Sequence, residues 1–146
     1  MAKPPRTASH GTFFLTALSL QRRPIFRTPS TAQLFLDTLQ HYRRESHYKL
    51  HAFVAMPDHV HLLLTPTGIT LERAMQLIKG GFSHRLAAKF PVWQRGDTDH
   101  RILTHEEFES RRNYVNENPV RGRLCEKPED YPRSSAHQTP SDKAEP

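Results

Sequence analysis

Two histidines separated by one valine, His59 and His61, sit in the most apolar run of the chain, Ala52-Phe-Val-Ala-Met-Pro-Asp-His-Val-His-Leu-Leu-Leu-Thr65. On a strand, residues i and i+2 share a face, so the two imidazoles project side by side while Val60, Leu62 and Leu64 face the other way. Such a pair can hold a divalent metal ion, or it can be purely structural. Spacing alone does not decide: with ten histidines in 146 residues, chance gives on the order of one His-x-His. A second reactive group lies downstream. On a helix with Phe108, the stem of Arg112 and Val115 as its core stripe, Tyr114 falls about 120° from Phe108, and Asn118 lies within about 40° of Tyr114. Ser110 and Arg111 share that polar side. A tyrosine so placed is an amphipathic surface residue or a nucleophile, and the residues alone leave both open.

The elements that must position these groups follow from punctuation and periodicity. Thr12 to Leu20 reads as a first strand, ended by the basic turn Gln21-Arg-Arg-Pro24. Ser30 with Gln33 matches a capping box and opens a helix with Phe35, Leu39 and Tyr42 on one face, running to about residue 44. Leu50 to Met56 and His59 to Thr65 form a strand pair around the turn Pro57-Asp58, where Asp58 can bond backbone amides. Thr70 caps a second helix whose stripe is Met75, Ile78, Phe82 and Leu86. Gly80-Gly81 in its middle costs roughly 1 kcal/mol per glycine relative to alanine, which points to a close approach of backbone to a ligand or neighbour. Val92-Trp-Gln94 is a short apolar piece, Arg95 to Arg101 a polar loop, and Ile102-Leu103 a further apolar pair. Thr104 and Glu107 cap a third helix, expected to end near Asn118 because Pro119 follows.

Strand, helix, strand, strand, helix, short strand, helix is the order of an α+β, ferredoxin-like fold with an antiparallel sheet. Helices are expected on the Val60/Leu62/Leu64 face, leaving His59 and His61 on the other face, free for chemistry. Residues 1–10 read as a flexible basic arm, 11–136 as one domain, and 137–146 as a disordered polar tail. No apolar run is long enough to cross a bilayer. Phe13-Phe-Leu-Thr-Ala-Leu-Ser-Leu20 lacks a following cleavage site, so the expected location is cytoplasmic. The single cysteine, Cys125, excludes an internal disulfide framework and any multi-cysteine zinc site. A net charge of +6 and a pI near 9.8 favour a polyanionic partner.

The run Tyr114-Val-Asn-Glu-Asn-Pro-Val-Arg-Gly-Arg-Leu124, followed by Lys127-Pro-Glu-Asp-Tyr-Pro-Arg-Ser-Ser135, resembles the C-terminal signature of the REP-associated tyrosine transposases, HUH single-tyrosine transposase-like proteins of the IS200-like group. Met56-Pro-Asp-His-Val-His-Leu62 resembles their HUH block. Met75-Gln-Leu-Ile-Lys-Gly80, Val92-Trp-Gln94 and Asp99-His-Arg101 resemble the blocks between. The resemblance implies a ferredoxin-like domain with its catalytic tyrosine on a C-terminal helix. It also implies metal ligation by His59 and His61, a nucleophile at Tyr114 and, at Asn118, a candidate third ligand. The metal would be Mg²⁺ or Mn²⁺, and the substrate single-stranded or hairpin DNA of the REP kind. Two departures stand out: Gly122-Arg123 replaces Ala-Gly, and Glu117 replaces a commonly apolar residue.

Phosphate contacts are expected from Arg22, Arg23, Lys79, Arg85, Arg111, Arg112 and Arg121. Trp93 and Tyr131 are candidates for base stacking, with a core role as the alternative for Trp93. The expected activity is metal-dependent strand transfer through a covalent 5′-phosphotyrosine; a catalytically silent nucleic-acid-binding protein on the same fold is the alternative. One tyrosine per chain suits a monomer that reuses its site or a homodimer.

Overall fold

The computed structural model describes residues 11–137. The proposed arm at 1–10 and residues 138–146 of the proposed tail lie outside the described residues. His137, placed in the tail by sequence, is still tied to the body, its N–H donating to Ser134 O at 3.1 Å.

The chain runs β1 (Thr12–Leu18), α1 (Pro29–Arg44), β2 (Tyr48–Met56), β3 (His59–Pro66), α2 (Leu71–Leu86), β4 (Thr98–Ile102) and α3 (His105–Arg121). The strands form one antiparallel sheet in the order β2-β3-β1-β4, the ferredoxin-like order expected from sequence. Its register pairs Val60 with Ala17, Leu62 with Leu15 and Leu64 with Phe13. These residues face α1 and α2 and build the main core with Phe26, Phe35, Leu39, Met75, Ile78 and Phe82. Side chains alternate in direction along a strand, so His59, His61 and Leu63 face the opposite side.

That opposite side is not bare, as the sequence suggested. Helix α3 lies across it, with Phe108 and Val115 packed on Phe14, Ala52, Val54, Met56 and Leu63. The sheet therefore has helices on both faces, because its second face carries enough apolar side chains to require cover. The outer edge of β2 is also closed. Ala55 N–H donates to Arg133 O at 2.9 Å, Ser135 N–H donates to Phe53 O at 2.8 Å, and Tyr131 Oη donates to Ala55 O at 2.7 Å. Pairing an edge strand in this way removes an aggregation-prone row of free backbone groups.

Local chemistry explains three further departures from the sequence reading. Helix α1 starts at Pro29 with Thr28 as N-cap, and no side-chain cap bond forms. Proline's fixed φ suits the first helical position, so Ser30 falls inside the helix and Gln33 Nε2 instead donates to Asp37 Oδ1 at 2.9 Å. Helix α3 continues through Pro119 to Arg121. It ends in a Schellman motif, with Leu124 N–H donating to Pro119 O at 2.9 Å and Arg123 N–H to Val120 O at 3.0 Å. The fourth strand lies within the polar stretch, pairing Thr12 with Ile102 and Thr16 with Thr98; an exposed edge strand needs no apolar alternation.

The Gly80-Gly81 pair is explained by its second member. A Cβ at Gly81 would meet Tyr42 Oη at 2.6 Å, whereas one at Gly80 would meet nothing within 4 Å. Glycine at 81 lets α2 approach α1. Between β1 and α1 the chain bends through two left-handed residues that are not glycine, Gln21 (φ 56°) and Arg22 (φ 55°). Each costs on the order of 1–3 kcal/mol.

Candidate active site

His59 and His61 begin β3, next to the turn from β2. Across the sheet His61 pairs with Val54 on one side and Thr16 on the other, while His59 pairs with Met56 and Leu18. Both rings face α3. They stand edge to face with centroids 4.8 Å apart, as expected for i and i+2 on one strand.

Each ring is held through Nδ1. His59 Nδ1–H donates to Asp58 Oδ1 at 2.7 Å, which in the neutral ring places the lone pair on Nε2. His61 Nδ1 lies 2.9 Å from Thr16 Oγ1. An outer partner on one ring nitrogen that orients the other is the usual arrangement around ligating histidines. The Asp58 carboxyl lies below the usual carboxylate range: burial pushes it up, but hydrogen bonds from His59 and Arg22 outweigh that.

His61 is buried, with 5% of its surface exposed. Burial, then the neighbouring His59 and the Arg111 cation, push its pKa down to about 4. The imidazole is therefore neutral at neutral pH, the form a metal ligand requires. Phe14 stacks on His61 at 5.3 Å between centroids and 21° between planes, and the Arg111 guanidinium covers the Phe14 ring at 4.8 Å.

Tyr114 completes the cluster. Its ring is edge-on to His61 at 5.4 Å and to Phe14 at 5.9 Å, with the Arg121 guanidinium 5.2 Å from its centroid. Tyr114, on the helix side read as polar from sequence, thus faces His61 and is half-buried, whereas Ser110 on that side is exposed. Asn118, one turn further along α3, is buried. Its carbonyl accepts Gly122 N–H at 2.9 Å, and a Cβ at Gly122 would meet Met56 Cε at 3.1 Å. Because Met56 pairs with His59, this end of α3 lies over the histidine end of the sheet.

No group of three or more His, Cys, Asp or Glu side chains suited to a metal occurs among the described residues. The neutral His61 ring and the His59 ring anchored through Nδ1 are nevertheless donors of the type that a divalent ion takes.

A family model described as IS200-like transposase matches residues 11–118, from the start of β1 to Asn118. The chain belongs to the IS200-like transposase family. Its activity is accordingly DNA processing of the transposase kind. Among solved structures, it is similar to a REP-associated tyrosine transposase bound to a REP hairpin, at 25% identity and a TM-score of 0.79, over 94% of this chain and 84% of that one. It also shares its fold with a putative transposase from Deinococcus radiodurans R1, at 20% identity and a TM-score of 0.56, over 80% of this chain and 97% of that one. Comparison with the curated proteins finds no match.

Within this IS200-like domain the basic and aromatic candidates divide between the two sides of the sheet. Arg111 and Arg121 touch the rings of the His/Tyr cluster, and Arg22 reaches it through Asp58, with Nε donating to Oδ2 at 2.9 Å. Arg112 pairs with Glu109 over the Phe108 ring. Arg23 is exposed and donates to Gln21 Oε1 at 3.3 Å. Lys79, Arg85 and Trp93 belong to the α1/α2 side. Lys79 Nζ pairs with Asp97 at 2.7 Å, and Arg85 covers Tyr42. Trp93 packs on Phe26, Phe35 and Phe82 and donates Nε1–H to Lys79 O at 3.2 Å. Tyr131 is likewise buried, its hydroxyl spent on Ala55 O. Glu117 is exposed.

Sequence reasoning missed Thr16, Phe14 and the outer role of Asp58. Asp58 could have been found, because it directly precedes a candidate ligand; Thr16 and Phe14 depend on strand register that no spacing reveals. Among the described residues, no helix is long and apolar enough to cross a membrane.

Proposed function

We propose that the chain is a metal-dependent single-stranded DNA endonuclease and strand transferase that works through a covalent 5′-phosphotyrosine at Tyr114. The observation that carries this reading is the packing of the Tyr114 ring against His61, 5.4 Å between centroids, beside a second imidazole whose Nδ1 is bonded to Asp58 at 2.7 Å.

His59 and His61, with Asn118 as third donor, would hold Mg²⁺ or Mn²⁺, which supplies charge stabilisation for the phosphoryl oxygens and favours phenolate nearby. The chain's residues do the remainder. Tyr114 Oη loses its proton to solvent and attacks phosphorus in line. The bond to the 3′ oxygen breaks, that oxygen leaves as a 3′-hydroxyl after taking up a proton, and the 5′ phosphate stays on Oη. A 3′-hydroxyl attacking the phosphotyrosine reverses these steps, so strand joining needs no outside energy source. Arg111 and Arg121, against the Phe14 and Tyr114 rings, are the cations we assign to the phosphate beside the tyrosine, since preorganised cations at a developing charge lower the barrier.

The similar REP-associated transposase was solved with a REP hairpin, and hairpin DNA with a single-stranded flank is the substrate we assign. The test is incubation of labelled hairpin oligonucleotides with wild type and Tyr114→Phe in Mg²⁺ or Mn²⁺. A denaturation-resistant protein–DNA adduct in wild type only is expected. Salt-sensitive binding with no adduct, unchanged by chelator or by Tyr114→Phe, would establish a silent DNA-binding protein instead.

A further inference from the structure

The bend between β1 and α1 is strained and firmly held. Gln21 and Arg22 are both left-handed, and such strain persists only where the surroundings over-determine it. Ser19 N–H and Oγ both reach Asp58 O, at 3.0 and 2.9 Å, and Oγ also lies 2.6 Å from Arg23 O. Phe26 N–H donates to Pro57 O at 3.0 Å. The loop is thereby fastened to the turn preceding His59.

The bend delivers one side chain to that turn: Arg22 Nε lies 2.9 Å from Asp58 Oδ2. Asp58 Oδ1 faces the other way and takes His59 Nδ1–H at 2.7 Å. The Arg22 side chain is 57% exposed, and ion pairs at such exposure contribute little stability. The pair does not offset two left-handed residues. A consequence other than stability is the ring orientation of His59.

We propose that Arg22 is a positioning residue: it anchors Asp58, which in turn fixes the His59 ring with Nε2 directed at the site. The importance of that orientation for metal binding rests on the proposed function, whereas the orientation itself does not. Arg22 then acts through Asp58, not as a phosphate contact. A phosphate that captured Arg22 would have to compete with Asp58 and would loosen the ligand it needs.

The test uses ¹⁵N NMR of the histidine rings in the metal-free full chain. Wild type is expected to show His59 protonated on Nδ1. Arg22→Met is expected to populate the Nε2-protonated form, and Arg22→Lys, which keeps a charge beside Asp58, to recover part of the wild-type tautomer. An unchanged tautomer in Arg22→Met overturns the proposal. Far-UV circular dichroism checks the fold, and Arg22→Gln provides a second neutral variant if Arg22→Met does not fold.

Mn²⁺ titration without DNA gives an independent readout. Removing an outer partner typically weakens metal binding about 10–100-fold; Asp58→Ala is expected in that range and Arg22→Met to fall in the same direction. In chelator, Arg22→Met is expected to leave the salt dependence of DNA binding unchanged. A slope reduced by about one phosphate contact with an unaltered tautomer would make Arg22 a DNA ligand and sink the idea. If wild type takes up no Mn²⁺ while the tautomer shifts as expected, the metal reading fails and the positioning role stands.

Discussion

Tyr114 on α3 lies edge-on to His61 on β3, with ring centroids 5.4 Å apart, and both rings contact Phe14 on β1. Three elements distant in sequence therefore meet in one aromatic cluster. The two histidines enter it differently: His61 is buried beneath Phe14, whereas His59 lies at the margin with 17% of its side chain exposed.

That asymmetry predicts different costs for losing the two histidines. His61→Ala removes a packed ring and leaves a cavity, so metal-free stability should fall by about 2–4 kcal/mol. His59→Ala should cost roughly 1 kcal/mol or less. Both should lose Mn²⁺ binding. Urea denaturation in chelator beside metal titration checks the pattern; equal stability losses would contradict the packing.

The division of cations across the sheet predicts which of them touch DNA. Arg121 stands against the Tyr114 ring, and Arg121→Met should reduce the salt dependence of DNA binding by about one contact. Lys79 is engaged by Asp97, with side chains only 20% and 9% exposed, and lies on the α1/α2 side. Lys79→Met should leave the slope unchanged and lower stability by about 1–3 kcal/mol, since it strands a nearly buried carboxylate. Binding isotherms over a range of salt, with thermal melts of both variants, separate these outcomes.

The strand pair around Pro57-Asp58 and the α2 and α3 caps were legible because each rests on local chemistry. Thr70 Oγ1 accepts Arg73 N–H at 3.0 Å, and Thr104 Oγ1 accepts Glu107 N–H at 3.1 Å, as their spacing implied. His59, His61, Tyr114 and Asn118 were also named from the chain. What stayed hidden depends on register and on the third dimension. Thr16 reaches His61 only because β1 lies beside β3. β4 draws its order from pairing with β1, not from an apolar pattern. Trp93, a candidate both for base stacking and for the core, packs on three phenylalanines, a choice that its sequence neighbours do not make. Pro119 reads as a stop in sequence, but lies within the last turn of α3, where a proline forfeits only one helical hydrogen bond.

The end of α3 offers a stability test. Arg123 takes the left-handed position of the Schellman motif, φ 60°, where glycine is strongly preferred. Arg123→Gly should stabilise the protein by roughly 0.5–1 kcal/mol by relieving that conformation. Tyr114 lies further up the same helix, so adduct formation should be unaffected. A destabilised Arg123→Gly protein would show that the arginine side chain contributes more than its backbone costs.

Tyr48 predicts how stability responds to alkali. It is buried, and its hydroxyl donates to Leu39 O at 2.7 Å. Burial, with Tyr42 nearby, raises its pKa well above that of a free tyrosine. The folded chain therefore keeps this proton at pH values where the unfolded chain releases it. The stability contributed is complete below about pH 10, the free tyrosine value, and is lost as pH rises beyond it, by up to about 1.4 kcal/mol per pH unit. Tyr48→Phe should cost about 1 kcal/mol at pH 7 through the lost hydrogen bond, yet its stability should fall less steeply between pH 10 and 11. Urea midpoints measured across that interval decide the matter: parallel declines in the two proteins would mean that Tyr48 ionises as readily in the folded chain as in the unfolded one.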